Sequence, residues 1–111
     1  MRKIEREMVA AIKSEKTWRK ANTSVTWDEH GFFNVRLHGN LIARGELFGR
    51  DDGAVTMHSC GWKTATTKSR INAVLTAIGS KDRIYQHKGQ WMHWMDRYGT
   101  SMPFIENGHG M

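Results

Sequence analysis

Between Ser24 and Ser59 the apolar residues recur at every second position and the runs are separated by short polar turns, a pattern that commits this part of the chain to antiparallel strands. Val25 and Trp27 alternate with Thr26 and Asp28, Glu29-His30-Gly31 turns the chain, and Phe33, Val35 and Leu37 then share one face. His38-Gly39-Asn40 marks a second tight turn, Leu41 to Phe48 a third strand, and Gly49-Arg50-Asp51-Asp52-Gly53 a third turn before Val55, Met57 and Ser59.

Elsewhere the period is helical. Ile71, Val74, Leu75 and Ile78 fall at i, i+3, i+4 and i+7 and Gly79 supplies a stop, which predicts a helix from about Thr67 to Ile78. Residues 2 to 20 carry Ile4, Met8, Ala11, Ile12 and Glu15 at helical spacing with bases mostly on the other faces, so an amphipathic first helix is expected there. Ile84 to His87 and Trp91 to Trp94 flank Lys88-Gly89-Gln90 as one more hairpin. Gly99 to Met111 shows little period and is expected to be an irregular tail. The reading is a single α+β domain over 1–98 followed by a tail over 99–111. Its order is α-β-β-β(-β)-α-β-β, with a mostly antiparallel sheet of three to six strands and two helices packed on it.

Lys and Arg outnumber Asp and Glu by 17 to 11, and the formal charge of +6 favours polyanionic partners and argues against a DNA mimic. Met1-Arg2-Lys3 leads into Ile4-Glu5-Arg6-Glu7 rather than an apolar run, so no secretory signal is read, and no stretch approaches membrane-spanning length. The lone Cys60 suits a reducing compartment. No Walker loop, nucleophile elbow or paired carboxylates occur, and the chain is read as a non-enzyme without a cofactor. Glu46, Asp51 and Asp52 are better explained by a turn than by a metal-dependent nuclease.

Met1 to Ala21, Val35 to Ala43 and above all the run from Cys60 to Leu75, with its Gly-Trp pair and Thr-Thr-Lys-Ser-Arg-Ile-Asn-Ala motif, resemble a group of small proteins encoded by tailed bacteriophages. The resemblance covers most of the chain to about residue 79. It implies a phage origin and a role in the host cytoplasm during infection, and it implies no catalytic residue. The predicted order is also similar in topology to the double-stranded RNA-binding domain, whose last helix begins with phosphate-contacting lysines. Thr-Thr-Lys-Ser-Arg stands here in place of that family's Lys-Lys pair.

The candidate site is this motif. A helix starting near Thr66 or Thr67 puts Lys68 and Arg70 in its first turn, beside the positive end of the macrodipole, where cations are unfavourable unless an anion is bound. A phosphate held by free N–H groups, Thr66, Thr67, Lys63, Lys68 and Arg70 would account for the pattern; a plain N-cap flanked by solvated cations is the alternative. Trp62 is read either as a buried anchor of the loop, the favoured reading, or as an exposed indole stacking on a base. Trp91 and Trp94 have opposite strand parity, so one is expected to face outward as a partner-binding surface. His58, Cys60, His87 and His93 have the ligand chemistry for zinc but match no compact zinc motif, and no metal is assigned. His30, His38 and His109 read as turn or tail residues.

The function expected is nucleic-acid binding, DNA and RNA undistinguished. The alternative is a non-catalytic phage protein that inhibits or redirects a host protein through a Trp-rich face. A homodimer is compatible with either.

Overall fold

The period-two region folds as an antiparallel meander. The computed structural model describes residues 1–49, 52–106 and 108–110, so Arg50 and Asp51 of the third predicted turn lie outside the described residues. In chain order the elements are α1 (Lys3–Lys13), β1 (Trp18–Lys20), β2 (Thr23–Trp27), β3 (Phe33–Leu37), β4 (Asn40–Leu47), β5 (Gly53–Met57), α2 (Ala65–Ala77), β6 (Arg83–His87), β7 (Gln90–Met95), β8 (Thr100–Pro103) and β9 (Gly108–Gly110). Among the described residues these strands make two antiparallel sheets, one ordered β1-β2-β3-β4-β5-β9 and one ordered β6-β7-β8. The fold is α+β, as expected.

Two expectations are corrected. The first helix stops at Lys13 instead of running to residue 20, and Trp18–Lys20 pairs with β2 as an edge strand. The stop is a Schellman closure: the Lys16 N–H donates to the Ala11 carbonyl at 2.9 Å and the Glu15 N–H to the Ile12 carbonyl at 3.2 Å, with Glu15 in the left-handed region at φ 55°. With no glycine there, the sequence lacks the usual signal. The described residues of the segment 99–111 are likewise no irregular tail, since β8 extends the smaller sheet and β9 pairs with β5. Gly79, by contrast, closes α2 as predicted, through Ser80 N–H to Leu75 carbonyl at 2.9 Å.

One core joins both sheets. Met8 and Ile12 of α1 and Ile71, Val74 and Leu75 of α2 bury against Val25, Phe33, Val35 and Met57 of the large sheet, while Ile84 and Trp91 bring in the small one. At β3–β4 the register slips between Val35 and Arg36, which leaves Ile42 as an extra, buried residue. α2 touches α1, β4 and β6, so it is buried well beyond a single stripe, and small Ala73 and Ala77 join the larger residues on its inner surfaces. Asn72 completes the docking: its side-chain amide donates to the Ile84 carbonyl at 2.8 Å and accepts the Ile84 N–H at 2.7 Å, mimicking a strand partner for β6. We expect Leu75→Ala to cost about 2–5 kcal/mol in chemical denaturation and Lys81→Ala to be nearly neutral; equal costs would mean the buried face is misassigned.

Candidate functional site

The N-cap of α2 is Thr64, two residues earlier than the nearer of the expected positions. Its Oγ1 accepts the Thr67 N–H at 3.2 Å and lies 3.0 Å from the Thr67 hydroxyl, so Thr67 is buried and occupied by the cap. The N–H groups of Ala65 and Thr66 have no acceptor among the described residues, and no acidic side chain lies in the first turn. Lys68 remains there, half-buried, and Lys63 stands exposed just before the helix. Neither lysine has an ion-pair partner among the described residues.

The earlier start moves Arg70 into the second turn and turns it inward. The expectation that Arg70 is an exposed phosphate ligand is therefore corrected: it is 4% exposed, and its Nη1 donates to Glu5 Oε2 of α1 at 2.7 Å. Its Nε donates to Thr23 Oγ1 at 3.1 Å, and Ser69 Oγ donates to the same Glu5 oxygen at 2.6 Å. Burial pushes the Glu5 carboxyl up, but the hydrogen bonds from Ser69 and Arg70 outweigh it and hold the group below the ordinary glutamate value. Ser69, Arg70 and Asn72 of the central motif are thus structural: they tie α2 to α1, β2 and β6.

Trp62 is exposed, at 63%, contrary to the favoured reading of a buried anchor. Cys60 and Gly61 both adopt left-handed backbone, with φ of 56° and 79°, and the Trp62 N–H closes on the Ser59 carbonyl at 2.9 Å. This tight turn projects the indole outward, because a pair of left-handed residues reverses the chain directly before it. Beneath it opens a cleft of about 560 Å³, walled by Trp62, Thr64, Thr66 and Thr67 on one side and by the turn residues Asn22, His38 and Asn40 on the other, over Leu37 and Ile42. Apolar floor, hydrogen-bonding rim and one aromatic wall suit a planar, polar-edged ligand. In sequence His38 and Asn40 are turn residues only, and no local signal shows that two hairpin turns, at 20–23 and 37–40, converge on the helix start.

The family model of the Kyanoviridae Gp96 protein matches residues 1–110. The chain belongs to that family. It is therefore a phage protein. No curated protein and no solved structure matches it significantly.

In this chain the remaining candidate residues sort by strand parity and by neighbours. Trp91 is the inward indole, 3% exposed and edge-on to Phe104 at 5.4 Å, so it is no partner-binding residue; Trp94 lies on the opposite face, half-buried. His93 is buried against Asp82, Nε2 to Oδ2 2.9 Å, and Asp82 also accepts the Asp96 N–H at 3.0 Å. Cys60 Sγ donates to the Leu41 carbonyl at 3.0 Å, and burial, with the nearby Glu106 carboxylate, pushes its thiol up. Among the described residues no three His, Cys, Asp or Glu side chains group as metal ligands. Among the described residues no helix is long and apolar enough to cross a membrane. Asp28 is held down to about 2: desolvation opposes the shift, but hydrogen bonds from the Phe32 N–H, Asn34 and Arg44 overcome it. It braces the β2–β3 turn.

Proposed function

We propose that this phage protein binds nucleic acid inside the infected host, without catalysis, at the cleft where α2 begins. The observation that carries the reading is the exposed Trp62 beside Lys63 and Lys68, at a helix start whose first two N–H groups are unclaimed among the described residues. A backbone phosphate would accept from those N–H groups and from the Thr66 hydroxyl, with the two lysines supplying charge, while the indole stacks on the adjacent base. Arg70, bonded to Glu5, and Thr67, bonded to the Thr64 cap, hold the helix start in place for this arrangement. The net charge of +6 adds long-range attraction to the polyanion.

The test is a titration of a fluorescein-labelled oligonucleotide at several salt concentrations. Lys63→Ala and Lys68→Ala should each leave the melting temperature unchanged, weaken binding irrespective of sequence, and lower the slope of log affinity against log salt by about one. Trp62→Ala should weaken binding about tenfold with the slope unchanged. An unaltered slope in both folded lysine variants would remove the phosphate site. A host protein retained in a nuclease-treated pull-down would then favour the alternative reading, in which the phage protein blocks or redirects a host partner.

A further inference from the structure

The small sheet has two unlike faces. Its inner face buries Ile84, Trp91 and His93; its outer face carries Tyr85, 37% exposed, and the half-buried Trp94, flanked by half-buried Met92. Tyr85 pairs with Met92, and Met92 with Pro103, while Trp94 sits one step along between Arg83 and Ser101. The Tyr85 hydroxyl nevertheless donates to Ser101 Oγ, at 2.7 Å, two strands away. To reach it the phenol must lie across β7 rather than stand up from the sheet, next to the Trp94 side chain. The Trp94 indole is restrained in turn by its Nε1–H on Asp96 Oδ1 at 3.3 Å. Both rings are thus restrained at the sheet surface through their polar atoms.

We infer that this outer face is a stacking platform for unpaired bases of a single-stranded nucleic acid, with Tyr85 and Trp94 as the two ring contacts. Charge selects this occupant over an apolar protein surface. Residues 81–98 contain four Lys or Arg against two Asp, and of those two Asp82 is buried against His93 while Asp96 is exposed and accepts the Trp94 Nε1–H, so the segment keeps a net positive charge. Arg83, the cross-strand partner of Trp94, is exposed and its Nη1 donates to the Ser80 and Asp82 carbonyls, and the exposed Lys81 and Lys88 lie just before and just after β6, so positive charge stands at both ends of this strand for a sugar–phosphate backbone. Base stacking on protein rings tolerates any base because each has a π face, so little sequence preference is expected. Duplex DNA hides its base faces and should bind this surface poorly. The inference deepens the nucleic-acid reading and depends on it, but it concerns different residues from the α2 cleft.

Tyr85→Leu and Trp94→Leu keep an apolar side chain on the strand and remove the ring, and circular dichroism with thermal melting establishes that each folds. The probes are a twelve-nucleotide oligo-dT, the same length of abasic strand, and a duplex. Wild type should prefer oligo-dT over both others. Each Leu variant should lose about tenfold in oligo-dT affinity and almost nothing on the abasic strand, with the salt slope unchanged. Unchanged oligo-dT affinity in both folded variants overturns the platform even if the lysine variants confirm the cleft. Loss of the salt effect in the lysine variants with no response here places binding at the cleft alone. Equal binding of abasic strand and oligo-dT by wild type also overturns it, as does a loss of self-association in the variants without any change in oligonucleotide affinity, which would make this face a protein contact.

Discussion

Replacing Arg70 with methionine should lower the unfolding free energy at neutral pH by about 3–5 kcal/mol, because it strands the Glu5 carboxylate in the core without its cation. That is a large part of the roughly 5–15 kcal/mol by which a domain of this size is stable. Lys68→Met, two residues away and half-buried without an ion-pair partner among the described residues, should cost a small fraction of it. The double variant Glu5→Met/Arg70→Met should recover most of the loss, since a buried ion pair contributes little beyond an apolar pair of similar volume. The pH dependence makes the test sharper. In the native protein the Glu5 carboxyl lies below its ordinary value, so its contribution is complete above about pH 4.3 and is lost as the pH falls through the lowered folded value. In Arg70→Met the hydrogen bond and charge of the guanidinium no longer lower the Glu5 carboxyl, although those from Ser69 and the Arg2 N–H remain. The folded value then rises, and the variant's deficit should shrink on acidification. Urea melts at neutral pH and near pH 4.5 measure both effects. A deficit equal to that of Lys68→Met, or one that does not change with pH, would show that the Glu5–Arg70 contact does not hold α1 to α2.

The second large effect belongs to the indole that faces inward. Trp91→Ala should cost about 3–5 kcal/mol, the range for removing a large buried aromatic side chain. The loss extends beyond its own contacts: Phe104 packs edge-on against it at an interplanar angle of 78°, and the Phe104 N–H donates to the Trp91 carbonyl at 3.0 Å. Phe104 is where the chain leaves β8 on its way to β9, so loosening it should also weaken the β9–β5 pairing. Trp94→Ala on the other face of the same strand should cost much less. Guanidinium denaturation of the two variants, with hydrogen exchange at β5, checks the pair. Equal costs would contradict the assigned faces of β7.

Most of the architecture was legible because its signals are local. Alternation from Val25 to Met57 specified the meander and which residues face the core, and left-handed pairs at His38-Gly39 and Lys88-Gly89 close the hairpins where they were placed. The stripe Ile71, Val74, Leu75 and Ile78 and the Gly79 stop described α2. The failures occurred where the deciding partner is remote. Trp18–Lys20 has no strand signal strong enough to stand alone and becomes β1 because β2 offers its edge, and β9 likewise depends on β5.

The site divides in the same way. Composition and the motif determined, without any structure, that a basic segment with an indole and hydroxyls opens a helix. Only the tertiary structure decided which of those residues face out. Helical phase alone cannot say whether an arginine is solvated or buried, because that depends on whether a carboxylate from another element meets it, and Glu5 lies 65 positions from Arg70 in sequence. The exposure of Trp62 and the convergence of two hairpin turns on the start of α2 were equally beyond local reading, since both follow from how the meander carries β2, β3 and β4 past that helix end.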